Sequence, residues 1–298
     1  MTLVLSARAA EVWVVLAEDT GAYAEAGAVL RAELRGAARV KDGVASAVLQ
    51  EDAGPPALVV TVGVAAFERS LKWLSDRGAA WSGVPVLATL LPRASYEALA
   101  GVGAARYRPL SAVVLDQPLA RQMALLRRAL PERSRVGVLL GPETRRQLGE
   151  LDRQARVHGL RLVPAPSVDR PEEIYPSLRE ALANADVLLA LPDPAVYNGA
   201  TLQNILLTSY RARVPLVAFS AAYVRAGALL AVYSTPVQVA GQAAGIARDV
   251  LAGRNLTAVQ TPREFAVAAN TRVAASLGLH LDDAAAIAED LRRGEERK

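Results

Sequence analysis

The chain has no cysteine. That excludes a disulfide framework, a thiolate zinc site and a cysteine-linked lipid anchor, and it is compatible with either a reducing or an oxidising compartment. Histidine occurs twice, as His158 and His280, so a Ser-His-Asp triad or a histidine metal centre has almost nothing to build on. His158 precedes Gly159 at what reads as a helix C-terminus, where the dipole favours it. Only three of the 34 basic residues are lysine. The net charge is +4 over 298 residues, and no basic block stands out apart from 292–298, so the chain carries no nucleic-acid footprint. No apolar run reaches the roughly 18–20 residues of a membrane span. The fingerprints G-x-G-x-x-G after the first strand, G-x-S-x-G and Walker A are missing too, which removes the common signatures of a Rossmann-type enzyme. Neither a cofactor nor a metal is expected.

What is present is an apolar fraction of 52% in a chain long enough for two domains. At the start, Ala7-Arg8-Ala9 forms an A-x-A pattern behind a short apolar piece, Leu3-Val4-Leu5. It reads as the tail of a secretory signal peptide, against the alternative of an ordinary flexible start in an Ala-rich protein. From Val12 onward, strands alternate with helices. Strands are expected at 12–17, 57–62, 84–91, 111–115, 135–140, 160–163, 187–191 and 216–219. Helices are expected at 21–35, 65–77, from about 95, at 118–130, up to 159, before 185 and up to about 211. Gly36, Gly78 and Gly159 punctuate helix ends; the stretch 40–50 is ambiguous between a strand and a brief helix. This rhythm means βαβ units and parallel sheets. Two such sets imply an α/β protein of two doubly wound, Rossmann-like lobes joined by a hinge, with a ligand in the cleft where the strand ends meet.

One stretch focuses the question of the site. "LLALPDPAVYNGATLQNIL" (188–206) ends a buried strand on Pro192-Asp193-Pro194 and resumes at helical spacing. Asp193 then stands where an N-cap stands, with Pro194 at the first helical position. It is either a plain capping residue or a ligand-facing carboxylate at a strand end.

Several stretches, in order, resemble one family, the ABC-transporter substrate-binding proteins that include tryptophan/tyrosine-type binders. "LPERSRVGVLLGPETRRQLGELDRQARVHGLRLV" resembles the opening of the family's second lobe. "ALVVTVGVAAFERSL" resembles its first-lobe strand-Gly-helix. "VPLVAFSAAYVRAGALLAVYSTPVQVAGQAAGIARDVLAGRN" and "FAVAANTRVAASLGLHL" resemble later segments. The resemblance runs from Glu11 to about Leu281. It implies a periplasmic-binding fold of type I with crossovers near 113–118, 232–236 and 259–262. Lobe 1 would take 11–115 with about 236–260, and lobe 2 would take 118–234 with about 262–298. It also implies an exported, soluble periplasmic protein that captures a small molecule, such as an amino acid or related solute, for an ABC permease in the inner membrane.

Residues expected to line the cleft follow from strand ends. Asp193 matches a family Asp at this position, with Pro194 replacing its polar neighbour, and it suits an ammonium group. Gly63, Val64, Ala65 and Ala66 open a helix with backbone N–H groups suited to a carboxylate, or form a plain tight turn. Glu18 and Asp19 end the first strand, as exposed caps or as cleft residues. Thr89 ends a strand followed by Leu91-Pro92-Arg93, where the family often has Asp-Pro. Ser220 ends another strand. Tyr197 and Tyr233 stack on a flat ligand or pack internally.

Three rival readings remain at this stage. A ligand-sensing or docking protein of the same fold would lack the transport role. A Rossmann-like enzyme would need the fingerprints the chain lacks. A repressor of the LacI type would need a DNA-binding headpiece ahead of a first strand that begins at Val12.

Overall fold

The computed structural model describes residues 10–50, 54–102 and 108–297; the Ala7-Arg8-Ala9 pattern lies outside the described residues. The chain divides into two compact units, Met1–Leu115 with Ser234–Glu264, and Asp116–Tyr233 with Phe265–Lys298.

The first unit runs β1 (Glu11–Leu16), α1 (Gly21–Leu34), β2 (Arg39–Val44), α2 (Ala45–Val48), β3 (Leu58–Val62), α3 (Val64–Ser75), β4 (Val86–Thr89), α4 (Arg93–Ala100) and β5 (Leu110–Val113). The sheet order is β2-β1-β3-β4-β5 and every pair is parallel. Both faces are covered, as a parallel sheet requires. On one face Val12, Val14 and Leu16 pack with Leu30, Leu34 and Ala243; on the other Trp13 and Val15 pack with Phe67 and Leu74. All three tryptophans of the chain meet on that second face, with Trp13 5.6 Å from Trp73 and 5.8 Å from Trp81. The ambiguous stretch 40–50 contains both expected elements, because β2 is an edge strand paired only with β1.

The second unit contains α5 (Leu119–Ala129), β6 (Arg135–Val138), α6 (Leu148–Val157), β7 (Arg161–Pro164), α7 (Ile174–Asn184), β8 (Val187–Leu189), α8 (Leu202–Arg211), β9 (Leu216–Ala218), α9 (Ala221–Ala226) and β10 (Leu230–Tyr233). The chain then supplies α10 (Pro236–Leu251) to the first unit and returns through β11 (Ala266–Ala269), α11 (Thr271–Ser276) and α12 (Ala284–Glu296). The six-stranded order is β11-β10-β9-β8-β6-β7, parallel except for β11, which runs antiparallel to β10. The sequence reading assigns no strand to 266–269. Small residues on an edge strand leave little periodic signal, and its identity comes from pairing with β10.

Two boundaries differ from expectation around Pro192. β8 stops at Leu189, and α8 starts at Leu202 rather than at Pro194. Asn198 explains the delay. Its side-chain oxygen accepts the Ala200 N–H at 3.0 Å, and Thr201 Oγ1 donates to the Val196 carbonyl at 2.6 Å. Such local side-chain bonds compete with helix propagation, and Gly199 weakens it further.

Helix ends follow the expected chemistry with one exception. After α8, the Arg213 N–H bonds the Tyr210 carbonyl and the Val214 N–H bonds the Ser209 carbonyl, a Schellman motif that puts Arg213 at φ +58°. The same pattern after α6 uses Gly159, at φ +68°. A side chain in this conformation costs roughly 1–2 kcal/mol. Arg213 is exposed, and an exposed side chain offers little packing to offset that cost. Arg213→Gly is therefore expected to raise unfolding stability by about 0.5–1 kcal/mol after the larger chain entropy of glycine is counted. Chemical denaturation checks this; a loss of stability would show that the arginine makes a compensating contact.

Candidate functional site

In parallel α/β units, ligands meet the carboxyl ends of the strands. On the first unit this edge carries Ala17-Glu18-Asp19 after β1, Gly63 after β3 and Thr89-Leu90 after β4. Glu18 and Asp19 are exposed. Gly63 has φ +93°, and a Cβ there would lie 2.7 Å from the Tyr23 ring, so the turn needs glycine. Its N–H donates to the Thr89 carbonyl at 2.8 Å, which removes Gly63 from the expected set of free donors. Val64, Ala65 and Ala66 form the first turn of α3, whose first intrahelical bond is Phe67 N–H to the Gly63 carbonyl. Ala66 offers only backbone, since its side chain is buried in the core. Thr89 is fully buried, and its hydroxyl has no hydrogen-bond partner. Leu90 beside it takes φ +53°, a strained conformation at a strand end.

The edge of the second unit is built around Asp193, which is 1% exposed. Its Oδ2 accepts the Glu143 N–H at 3.1 Å, the Thr144 N–H at 3.0 Å and the Thr144 hydroxyl at 3.0 Å. Its Oδ1 accepts the Ala195 N–H at 3.1 Å. The carboxylate thus closes a local turn and clamps the loop after β6 onto the loop after β8. Asp193 does not cap α8, which begins eight residues after Pro194 and is preceded by Thr201. Gly141 makes the clamp possible. A Cβ there would lie 2.6 Å from the Asp193 carboxylate. Thr144 Oγ1 also accepts the Gly141 N–H at 3.1 Å.

Tyr197 is 4% exposed, and its hydroxyl is buried without a partner. Burial, with Tyr223 and Asp193 adding, pushes the pKa of that hydroxyl up and makes it a weaker acid. Its ring meets Phe219 edge-on at 6.1 Å, and Phe219 lies 4.8 Å from Tyr223. Tyr223 donates its hydroxyl to the Tyr197 carbonyl at 3.3 Å. Ser220 caps α9, its Oγ accepting the Tyr223 N–H at 3.3 Å. The structure therefore brings Asp193, Tyr197 and Ser220 to one edge, and Glu18, Asp19, Val64, Ala65 and Thr89 to the corresponding edge of the other unit. Tyr233 ends β10, within the second unit.

The sequence reading missed Glu143. One of its carboxylate oxygens is buried without a partner, and burial, with Asp193 and Asp116 adding, raises its pKa above the usual carboxylate range. The signal was available, since Gly141-Pro142-Glu143 follows a strand as Pro192-Asp193-Pro194 does. Phe219 and Tyr223 were missed as well, because their contact with Tyr197 is tertiary. Among the described residues, no group of three His, Cys, Asp or Glu side chains is placed to hold a metal ion.

Residues 112–289 match the model of the family described as ABC transporter substrate binding protein. The chain belongs to that family. Solved structures share the fold of this substrate-binding protein. A ligand-free, open substrate-binding protein with adhesive properties from Clostridium difficile is 14% identical, with a TM-score of 0.67 over 92% of this chain and 96% of that one. An ABC domain in complex with L-Trp from Streptococcus pneumoniae is 15% identical, with a TM-score of 0.61 over 94% and 98%. A solute-binding protein from Agrobacterium vitis, bound with alpha-D-tagatopyranose, is 14% identical, with a TM-score of 0.54 over 92% and 99%. These identities establish likeness of fold. No curated protein matches the chain. The family and fold expected from the sequence are those found, and the family is one of binding proteins. Among the described residues no helix is long and apolar enough to cross a membrane.

Proposed function

We propose that this substrate-binding protein captures a small solute at the carboxyl edges of its strands, turns nothing over, and hands the solute to an ABC permease from the periplasm. The observation that carries the reading is the family match over 112–289 together with two doubly wound units. The site residues proposed for capture are Glu18, Asp19, Val64, Ala65, Tyr197 and Ser220, with Glu143 added. Asp193 and Thr89 act by shaping the edge. Export is supported by the A-x-A pattern at Ala7-Arg8-Ala9. Recovery of the protein as an uncleaved chain in the cytoplasm would overturn it.

Solute capture is tested by a thermal-shift screen over amino acids, amines, sugars, nucleosides and carboxylates. A solute present at about 100 times its dissociation constant adds about 2.7 kcal/mol to stability. At least one compound is expected to raise the melting temperature, and to be recovered unchanged after incubation. Chemical conversion of a stabilising compound would replace binding with catalysis. A ligand-sensing role without transport would preserve the screen but remove any dependence of uptake on this protein.

A further inference from the structure

One cavity lies at the end of the first sheet opposite to Glu18, Asp19 and Thr89. It measures about 320 Å3, and it sits where the loop after α3 leads into β4 and where Arg108 leads into β5. Arg77 and Arg108 line it together with Ser75, Gly78 and Ser82, and among the described residues no acidic side chain lines it.

The two guanidinium groups are held in different ways. Arg77 lies 4.0 Å from the Trp73 ring and 5.9 Å from the Trp81 ring. Stacking uses the face of a guanidinium, and its donors lie in the plane. Arg108 is half-buried. Its Nη1 donates to the Trp81 carbonyl and, at 3.4 Å, to the Val84 carbonyl, and its Nη2 donates to the Leu74 carbonyl at 3.2 Å. Its Nε is buried with no partner. Among the described residues no acid acts on Arg108, and burial pushes its pKa down.

A buried cation normally has a counter-charge. Carbonyls satisfy the hydrogen bonds of Arg108 but carry no net charge. Leu74 stands in the last turn of α3, where the helix dipole amounts to about half a negative charge. Two guanidinium charges exceed it. A cation is therefore repelled from this cavity, and a neutral ligand leaves the charge uncompensated. A phosphate or sulfate group matches it, because several oxygens accept from two guanidinium groups at once. Ligand sites start at roughly 300 Å3, so there is room for a small body carrying that group.

We infer that this cavity binds a phosphate or sulfate group, free or carried by a larger molecule, with Arg77 and Arg108 as its charge partners. The site lies away from the carboxyl edge of the sheet, and it stands whether or not solute capture does.

Tryptophan emission reads the site directly, because Trp73 and Trp81 flank Arg77. Titration of the full chain with sodium phosphate or sodium sulfate at neutral pH is expected to give a saturable change in emission and a rise in melting temperature. Sodium chloride at equal ionic strength is expected to give neither, which separates binding from screening. Arg77→Gln is expected to raise the dissociation constant for phosphate at least tenfold by calorimetry. Ser82→Asp places a carboxylate at the cavity on an exposed residue and leaves both arginines in place. It is expected to abolish the phosphate response and to melt no lower than the parent at low salt. Arg108→Gln also removes the clamp on three carbonyls and is expected to unfold more readily, so the other two variants carry the test. Vesicles of phosphatidylglycerol distinguish the carrier. A phosphate response without co-sedimentation assigns a soluble oxyanion, and co-sedimentation lost in Arg77→Gln assigns a lipid headgroup; both uphold the site. A phosphate response no different from that to chloride, with no vesicle binding lost in Arg77→Gln, would overturn it, as would phosphate bound equally well by both variants.

Discussion

Asp193→Ala is expected to lower the stability of the second unit by at least about 3 kcal/mol. The substitution leaves the Glu143 and Thr144 N–H groups and the Thr144 hydroxyl without their acceptor, in a place where Asp193 is 1% exposed. Each buried donor left unpaired costs about 1–3 kcal/mol. For a domain of this size each kcal/mol shifts the melting temperature by about 2–4 °C, so a drop of roughly 6–12 °C is expected. From the local stretch alone, asparagine looks an adequate replacement, since it caps nearly as well as aspartate. The network says otherwise. All of the aspartate's bonds are accepted and none donated, and one terminal atom of asparagine is an NH₂ group. Asp193→Asn should cost about 1–3 kcal/mol, because one accepting position turns into a donor facing a donor. Gly141→Ala should destabilise the same edge from the other side, by driving a methyl into the carboxylate. Calorimetric unfolding of the three variants checks the set. Melting of Asp193→Ala within 2–3 °C of the parent would mean that the clamp contributes little.

Arg121→Ala is expected to cost about 3 kcal/mol. Arg121 lies on α5 and is 5% exposed, an unusual place for a guanidinium. Its Nε and Nη2 form a two-pronged pair with Glu295 on α12, at 2.6 and 2.8 Å. Nη1 reaches Gln117 Oε1 at 2.8 Å, and the plane lies 4.1 Å from the Phe265 ring. The side chain thus ties α12 and the returning crossover at Phe265 to the body of the second unit. Breaking a buried pair costs about 3–5 kcal/mol; the lower end applies, because the Glu295 side chain is partly exposed and water can take it back. Arg121→Met fills most of the volume and should recover part of the loss. Urea unfolding followed by far-UV circular dichroism measures both, since tryptophan fluorescence reports only on the first unit, where all three tryptophans lie. Equal stability of Arg121→Ala and the parent would reduce the pair to an incidental contact.

The sequence by itself determined the architecture and the family. Buried parallel strands write themselves as apolar runs, as in Val12–Leu16 and 58–62, and glycines at Gly159 and Gly36 mark helix ends, because both signals depend only on neighbours along the chain. It also placed the candidate site at strand ends, since a strand followed by a turn and a helix is a local pattern. The tertiary structure alone decided what those ends do. Asp193 reads as a cap or a ligand contact from its own stretch, and its partners lie 50 positions earlier, in the loop after β6. The α8 start depends on how Asn198 and Thr201 fold back on their own backbone. Arg121 and Glu295 meet across 174 positions, and β11 exists as a strand because β10 is there to pair with it. Glu143 is marked in the sequence as a residue just past a strand end, but that one of its oxygens is buried without a partner shows only in the fold. Local periodicity records which face of an element is buried. Which polar group is satisfied, and which is left for a ligand, depends on residues that chain folding brings together from far apart.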